Sequence, residues 1–352
     1  AGGIVKLGQA FDPRHNALNL WRLILATGVI FWHSFPLTGN TIDFQPAVRL
    51  LSEVWVDGFF TVSGFLITAS WMRRPHLGEY WRARFLRIFP GLWVCVAVTA
   101  FVIAPIAAAV KHSSLPLSAE FAYVVNNGLL NVFYAGINGT PKDIPWPGVW
   151  NGSLWTLVFE LLCYIAVCVL GVLGLLKRQW VLPTLFVASA VWSAYVSYPT
   201  MAQQTIPQML ARFAVVFLAG ALIHQYRDAI PARWSLVALC GVIVVASGFA
   251  QNYRLIAALP LAYAIIVSGA LVRRFPLRND ISYGMYIYAF PVQQLLATLG
   301  LVSLHPTVFF LVAALCTIPL AAASWFVVEK RAMALKHPKR QQVAVGTSSH
   351  LK

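Results

Sequence analysis

Apolar residues in this chain come in long runs rather than at amphipathic spacing. Runs long enough to cross a hydrocarbon layer recur at 17–36, 54–72, 91–110, 154–176, 180–198, 207–225, 234–250, 255–272, 281–300 and 307–328. A hydrocarbon core of about 30 Å takes about 20 helical residues. In lipid an open segment satisfies its own backbone only as a helix. The pattern therefore predicts an all-α integral membrane protein with ten transmembrane helices. The first run starts near Leu18 and is too long for the apolar part of a cleaved leader, with no small-residue cleavage site behind it. It is read as the first membrane helix.

Two regions fall outside the runs. The segment 73–90 is rich in Arg and aromatics and is expected to form an amphipathic helix at the inner interface. The segment 111–151 mixes Asn, Gly, Pro and Trp around an apolar stretch at 121–134, open to two readings: a short helix dipping into the membrane, or a lid. The expected organisation is a cytoplasmic segment 1–16, a transmembrane domain 17–332 and a basic cytoplasmic tail 333–352, disordered beyond Lys339.

Composition supports this reading. Hydrophobic residues make up 59% and charged residues 11%, against about 25% charged in soluble domains. The formal net charge of +15 would raise a nucleic-acid partner in a soluble chain, but the position of the charges argues otherwise. Of the 26 Lys and Arg, 20 fall in segments on one side of the alternating spans, 4 fall on the other, and Arg22 and Arg212 lie within spans. That asymmetry places both termini in the cytoplasm. The basic balance is thus expected to meet membrane lipids, and no nucleic-acid partner is expected. All five cysteines lie inside apolar runs without metal-ligand spacing and read as small buried hydrophobes. No metal site is expected.

Ionisable groups inside membrane spans are costly and are candidates for function. Arg22 and His33 are 11 residues apart on the first run, which brings both to one helix face, separated by about 16 Å along the axis. Arg22 then lies towards the cytoplasm and His33 in the outer half. The plainer readings are snorkelling for Arg22 and a structural histidine for His33. Glu160 follows Ser153 by seven residues on the fourth run. Ser153 could cap that helix. Glu160 is expected at the depth of His33, as its orienting partner or as a base, or else paired with an arginine such as Arg212. Asp57 is expected at the opening of the second helix, where an acid next to a helix N-terminus is stabilising or serves the site. Arg73, Arg74, Arg82, Arg84 and Arg87 form a cytoplasmic cluster. Guanidinium forks suit phosphate, whether of a substrate or of lipid headgroups.

Six stretches carry a resemblance. They are LNLWRLILATGVIFWHSF, with an Arg-x10-His pattern through Arg22 and His33, then VDGFFTVSGFLIT, RRPHLGEYWRARFLRIFPGLW, SLWTLVFELLCY with its serine-to-glutamate arrangement, ISYGMYIYAFPVQ and SWFVVEKR. In this order they resemble the acyltransferase family 3 membrane proteins, O-acyltransferases of cell-envelope glycans and lipids, over about residues 17–332. The resemblance implies a ten-helix acyltransferase domain in the plasma (bacterial inner) membrane. It implies a cytoplasmic acyl-CoA donor, with acetyl-CoA expected and succinyl or longer chains as alternatives. The acceptor implied is a hydroxyl of a glycan or glycolipid reached from outside. His33 would be the base, or the carrier of the acyl group, with Glu160 or Asp57 orienting it. Arg22 and the arginine cluster would hold the donor's phosphates. Many members carry a histidine where this chain has Ala289, so no catalytic role is expected there. The alternatives are a proton-coupled transporter, against which stands the lack of an internal repeat, and a non-catalytic scaffold.

Overall fold

The structure is a computed structural model that describes residues 5–131, 133–196, 205–273 and 277–336. The expected disorder beyond Lys339 lies outside the described residues. The elements are helices: α1 Leu7–Ala10, α2 Leu18–Leu37, α3 Gln45–Arg73, α4 Leu77–Val110, α5 Leu117–Gly128 and α6 Trp155–Val172, followed by α7 Val181–Tyr195, α8 Ile206–Gln225, α9 Trp234–Ser247, α10 Arg254–Leu271, α11 Ser282–Thr298 and α12 Pro306–Ala334. Among the described residues, seven of them (α2, α3, α4, α6, α8, α10 and α12) are long and apolar enough to cross a membrane. α7 and α9 are shorter apolar helices, and α11 has 17 residues. The chain is a multi-pass helical membrane protein, and each apolar run of the sequence falls on one of these helices.

Two boundaries differ from the sequence reading. α3 begins at Gln45 with Pro46 in its first turn, because Pro is preorganised for that position and loses no bond there. Asp57 therefore lies well inside α3 and does not open it. The segment 73–90 is not a separate interfacial helix. It forms the first part of α4, which runs on through the next apolar run as one helix. Propagating a helix adds one hydrogen bond per residue fixed, whereas starting a new one is costly. α4 widens into a π turn at Thr99–Ile103, just before Pro105, whose ring and missing N–H disturb the preceding turn.

The helices pack around two cores. One gathers α3, α8 and α10, and the other gathers α4, α11 and the C-terminal part of α2. α2 belongs to both: Leu18 and Leu25 sit in the first, and Ala26, Val29, Ile30 and Leu37 in the second. The α3–α8 crossing is backbone on backbone. A Cβ at Gly64 would lie 1.9 Å from the Phe217 carbonyl oxygen, and one at Gly220 would lie 1.9 Å from that of Thr61. α11 is buried along almost its whole length and runs parallel to α2, with Asp280 beside Arg22 and the Gln293 amide donating to the Ile30 carbonyl at 3.0 Å.

The 111–151 region contains the short helix α5, then an irregular loop. The loop is anchored by the fully buried Trp150, whose Nε1 donates to Thr140 Oγ1 at 3.0 Å. Trp93 Nε1 donates to the Gly128 carbonyl at 3.0 Å and holds α5 on α4. The N-terminal segment is docked as well. Leu7 N–H donates to Ile230 O and Gly8 N–H to Arg227 O, so α1 lies against the turn after α8.

Candidate functional site

Arg22 and His33 project from α2, which is one uninterrupted helix between them. The histidine end is aromatic. The half-buried His33 meets Phe290 of α11 edge-on at 5.1 Å between ring centroids and Trp146 of the loop at 6.2 Å. Trp146 and Phe290 meet each other edge-on at 5.6 Å, the arrangement the ring quadrupoles favour. α11 also secures the loop. The Gln294 amide donates to the Trp146 and Val149 carbonyls at 2.8 and 2.6 Å, and Gln293 donates to Ser34 Oγ at 3.0 Å. Gly152 allows the close fit, since a Cβ there would lie 2.6 Å from the Phe290 ring. Ala289, beside Phe290, is buried.

Ser153 does not cap the following helix. Leu154 occupies that position without a side-chain cap. The Ser153 hydroxyl is buried with no hydrogen-bond partner, while its N–H donates to Asn151 Oδ1 at 3.1 Å. The Asn151 amide in turn donates to the Ile287 carbonyl at 2.7 Å, so the Asn151–Ser153 turn is tied to α11 beside the histidine.

At the other end of α2 the site is ionic. Arg22 Nη1 donates to Asp280 Oδ2 at 2.5 Å, and Arg87 Nη2 of α4 donates to the same oxygen at 2.7 Å. Asp280 Oδ1 accepts from the Ser282 N–H at 3.2 Å and from the Ser282 hydroxyl. Burial opposes the charge on Asp280, but Arg22, Arg87 and Ser282 outweigh it and hold the carboxyl well below the usual carboxylate range. Arg87 also lies over the Tyr283 ring at 5.7 Å. Asp280 was not singled out in the sequence. Its position just ahead of an apolar run reads as an ordinary loop acid, and its two arginines lie 258 and 193 residues away.

Glu160 belongs to this ionic end. Its Oε1 accepts from the Tyr164 hydroxyl and from Ser63 Oγ at 3.4 Å, and its charge acts on Arg22. Among the described residues no hydrogen bond joins it to His33, and no carboxylate acts on that imidazole. The expectation that Glu160 sits at the depth of His33 and orients it is therefore corrected. A residue's depth counted from the start of its own helix says little when that start is itself buried, as Ser153 and Leu154 are at the start of α6. Arg84 lies over the Tyr80 and Tyr164 rings at 5.4 and 5.7 Å and reaches Ser70 Oγ at 3.3 Å.

Asp57 is fully buried and serves a separate network. Its Oδ1 accepts from Arg212 Nε of α8 at 3.3 Å, and its Oδ2 from Arg254 Nε of α10 at 2.7 Å and from the Tyr253 hydroxyl. Arg254 also pairs with Glu53. Arg212 thus pairs with Asp57 rather than Glu160, and Arg254 is buried rather than part of an outer loop. The network ties α3, α8 and α10 together without touching His33.

The five clustered arginines do not share one site. Arg73 lines a cavity of about 840 Å³ at the arginine end of α2. It also lines, with Arg74, a smaller one of about 260 Å³. Arg82 and Arg84 border an apolar groove with Phe85 and Phe89, and Arg87 is committed to Asp280. Among the described residues no three His, Cys, Asp or Glu side chains come together as a metal site.

The model of an acyltransferase domain family matches residues 15–326. An O-acetyl transferase of Shigella phage Sf6 is 28% identical over 342 residues, covering 93% of this chain and 98% of the relative. Nodulation protein 10 of Rhizobium leguminosarum bv. viciae is 27% identical over 359 residues, covering 91% and 94%. No solved structure matches.

Proposed function

We propose that this chain, which belongs to the acyltransferase family 3 of membrane proteins, carries an acyl group from a cytoplasmic acyl-CoA to a hydroxyl of a glycan or glycolipid on the outer side of the plasma membrane. It is an acyltransferase by that membership, and a relative named for O-acetyl transfer supports acetyl as the group moved. The donor, the acceptor, the ten spans with both ends in the cytoplasm, and the residue roles are the proposal. The observation that carries it is the pairing on α2. One helix bears Arg22 at an ionic end next to a basic cavity and His33 at an aromatic end beneath the folded loop.

In this reading the donor's phosphates bind at the arginine end and the thioester reaches the imidazole. The acceptor enters past α5 and the Trp146 loop. The Val29 carbonyl, one turn back on α2, is the backbone group that acts on the His33 ring and would orient one N–H, leaving the other nitrogen free as a base. That nitrogen takes the acceptor's O–H proton as the oxygen bonds to the thioester carbonyl carbon. The C–S bond breaks, and the proton passes to the leaving thiolate. A positioned base contributes about 10² to 10⁴ in rate. Trp146, Phe290 and the loop keep bulk water from the thioester. Glu160 and Tyr164 shape the ionic end next to Arg22, and Asp57 holds the helices in place.

The test is thiol release from acetyl-CoA by purified protein in detergent, wild type against His33→Ala. Slow release that disappears in the variant supports the proposal. No release from either, with no CoA binding, would remove acyl-CoA as the donor.

A further inference from the structure

A second basic feature stands apart from the 82–87 arginine run. Four arginines, Arg14, Arg73, Arg227 and Arg278, line the 840 Å³ cavity, and among the described residues no carboxylate lines it. They come from four separate places in the chain: the segment ahead of α2, the end of α3, the turn after α8 and the segment ahead of α11. Among the described residues Arg14, Arg73 and Arg278 have no carboxylate within ion-pair distance, and Arg227 has only the exposed Asp228 at 3.9 Å. Like charges gathered on one cavity repel each other unless an anion joins them. The cavity also has an aromatic side, where Phe11 and Phe65 meet edge-on at 5.0 Å. The segment ahead of Arg14 is held by backbone bonds, Gly8 N–H to Arg227 O at 2.9 Å and Ala232 N–H to Val5 O at 2.9 Å. The basic lining is thus part of the fold.

We propose that this cavity is the subsite for a nucleoside polyphosphate head, the 3′-phosphorylated ADP portion of the donor. Arg14, Arg73, Arg227 and Arg278 would hold the phosphates, and Phe11, backed edge-on by the buried Phe65, the base. The inference rests on the acyl-CoA reading and deepens it. It moves recognition of the donor's head from the Arg82–Arg87 run to residues whose only common feature is where the fold places them. Guanidinium forks match phosphate oxygens in pairs, and a flat base suits an apolar aromatic side. From here the α2 face carrying Arg22 leads towards His33, so a linear arm from the head would follow that helix.

The experiment compares two donors on the full-length protein in detergent. Acetyl-CoA carries the nucleotide head, and S-acetylpantetheine carries the same thioester without it. Free adenosine 3′,5′-bisphosphate serves as a binding probe and competitor. Wild type is expected to prefer acetyl-CoA and to be inhibited competitively by the bisphosphate. Arg278→Gln and Arg14→Gln, both at exposed positions, are expected to raise KM for acetyl-CoA about tenfold each, the loss of one charge-assisted contact. Their kcat should change little, their turnover of S-acetylpantetheine should stay at the wild-type level, and their bisphosphate binding should weaken. A variant that loses both donors equally is misfolded, and the second variant then decides. Wild-type KM and bisphosphate inhibition in both variants, with acetyl-CoA still used, would overturn the subsite while leaving the donor reading intact. No use of acetyl-CoA and no bisphosphate binding by wild type would overturn both.

Discussion

Arg22 and Asp280 lie 258 residues apart in sequence and meet at 2.5 Å, where Asp280 also receives Arg87. One carboxylate oxygen thereby joins the starts of α2 and α11 and the middle of α4. Arg22 and Arg87 expose only 20% and 16% of their side chains, and Asp280 exposes 7%.

Asp280→Asn is expected to destabilise the protein by about 3 kcal/mol, because removing one partner of a buried pair leaves uncompensated charge behind. Thermal unfolding in detergent would show the loss. Transfer activity is expected to fall along with it, since Arg22 is then free to leave its position. A melting temperature equal to wild type would show that the two arginines find other partners.

The same carboxyl has a pH signature. Its value in the folded state is depressed by Arg22 and Arg87 acting against burial, below the unfolded value of about 4. Its contribution is then fully present above that value and is lost as pH falls through the folded one. The stability gap between wild type and Asp280→Asn is expected to be flat from pH 7 to about pH 5 and to narrow below that. A gap that widens on acidification would contradict this assignment.

Asp57→Asn removes the carboxylate that Arg212 and Arg254 share. The expected cost is about 3–5 kcal/mol, as for other broken buried pairs, and it should appear as reduced yield and melting temperature. Because Asp57 has no contact with His33, the folded fraction is expected to keep the wild-type KM for acetyl-CoA. A raised KM in well-folded protein would place Asp57 in the site.

His33→Ala is expected to lower transfer by about 10² to 10⁴, the contribution of a positioned base, and to leave the melting temperature near that of wild type. The ring's neighbours are Trp146 and Phe290 rather than charges, so its removal strands no ion. Acceptor turnover and a thermal melt on the same preparation would separate catalysis from folding.

Gly64→Ala or Gly220→Ala places a methyl group 1.9 Å from a carbonyl oxygen of the facing helix. The helices must move apart, at a cost of about 1–3 kcal/mol by the usual penalty for overpacking. Lower thermal stability in both single variants, and less than additive loss in the double, is the expected result, since each relieves the same crossing.

What the sequence determined by itself follows from local rules. Runs of apolar residues the length of a hydrocarbon core marked the helices, because lipid leaves the backbone no other choice. The helical period placed Arg22 and His33 on one face without any knowledge of neighbours, and the order of six motifs pointed to the family. The extent of α3 and the continuity of α4 escaped, because a helix continues past its apolar part wherever nothing stops it.

Pairing of charges was decided only by the tertiary structure. Asp57, Glu160 and Arg22 were visible as costly groups within spans. Their partners, Arg212 and Arg254, Tyr164 and Ser63, and Asp280, were not, because all but two lie on another helix whose rotation and depth depend on packing; Asp280 lies in the segment ahead of α11, and Tyr164 one turn along the same helix as Glu160. Close crossings such as Gly64 against Phe217 set those rotations. Packing likewise decides that Glu160 acts on Arg22 and not on His33. The basic cavity was equally hidden. Its four arginines come from four loops and helix ends, and only the docking of α1 against the turn after α8 closes them around one space.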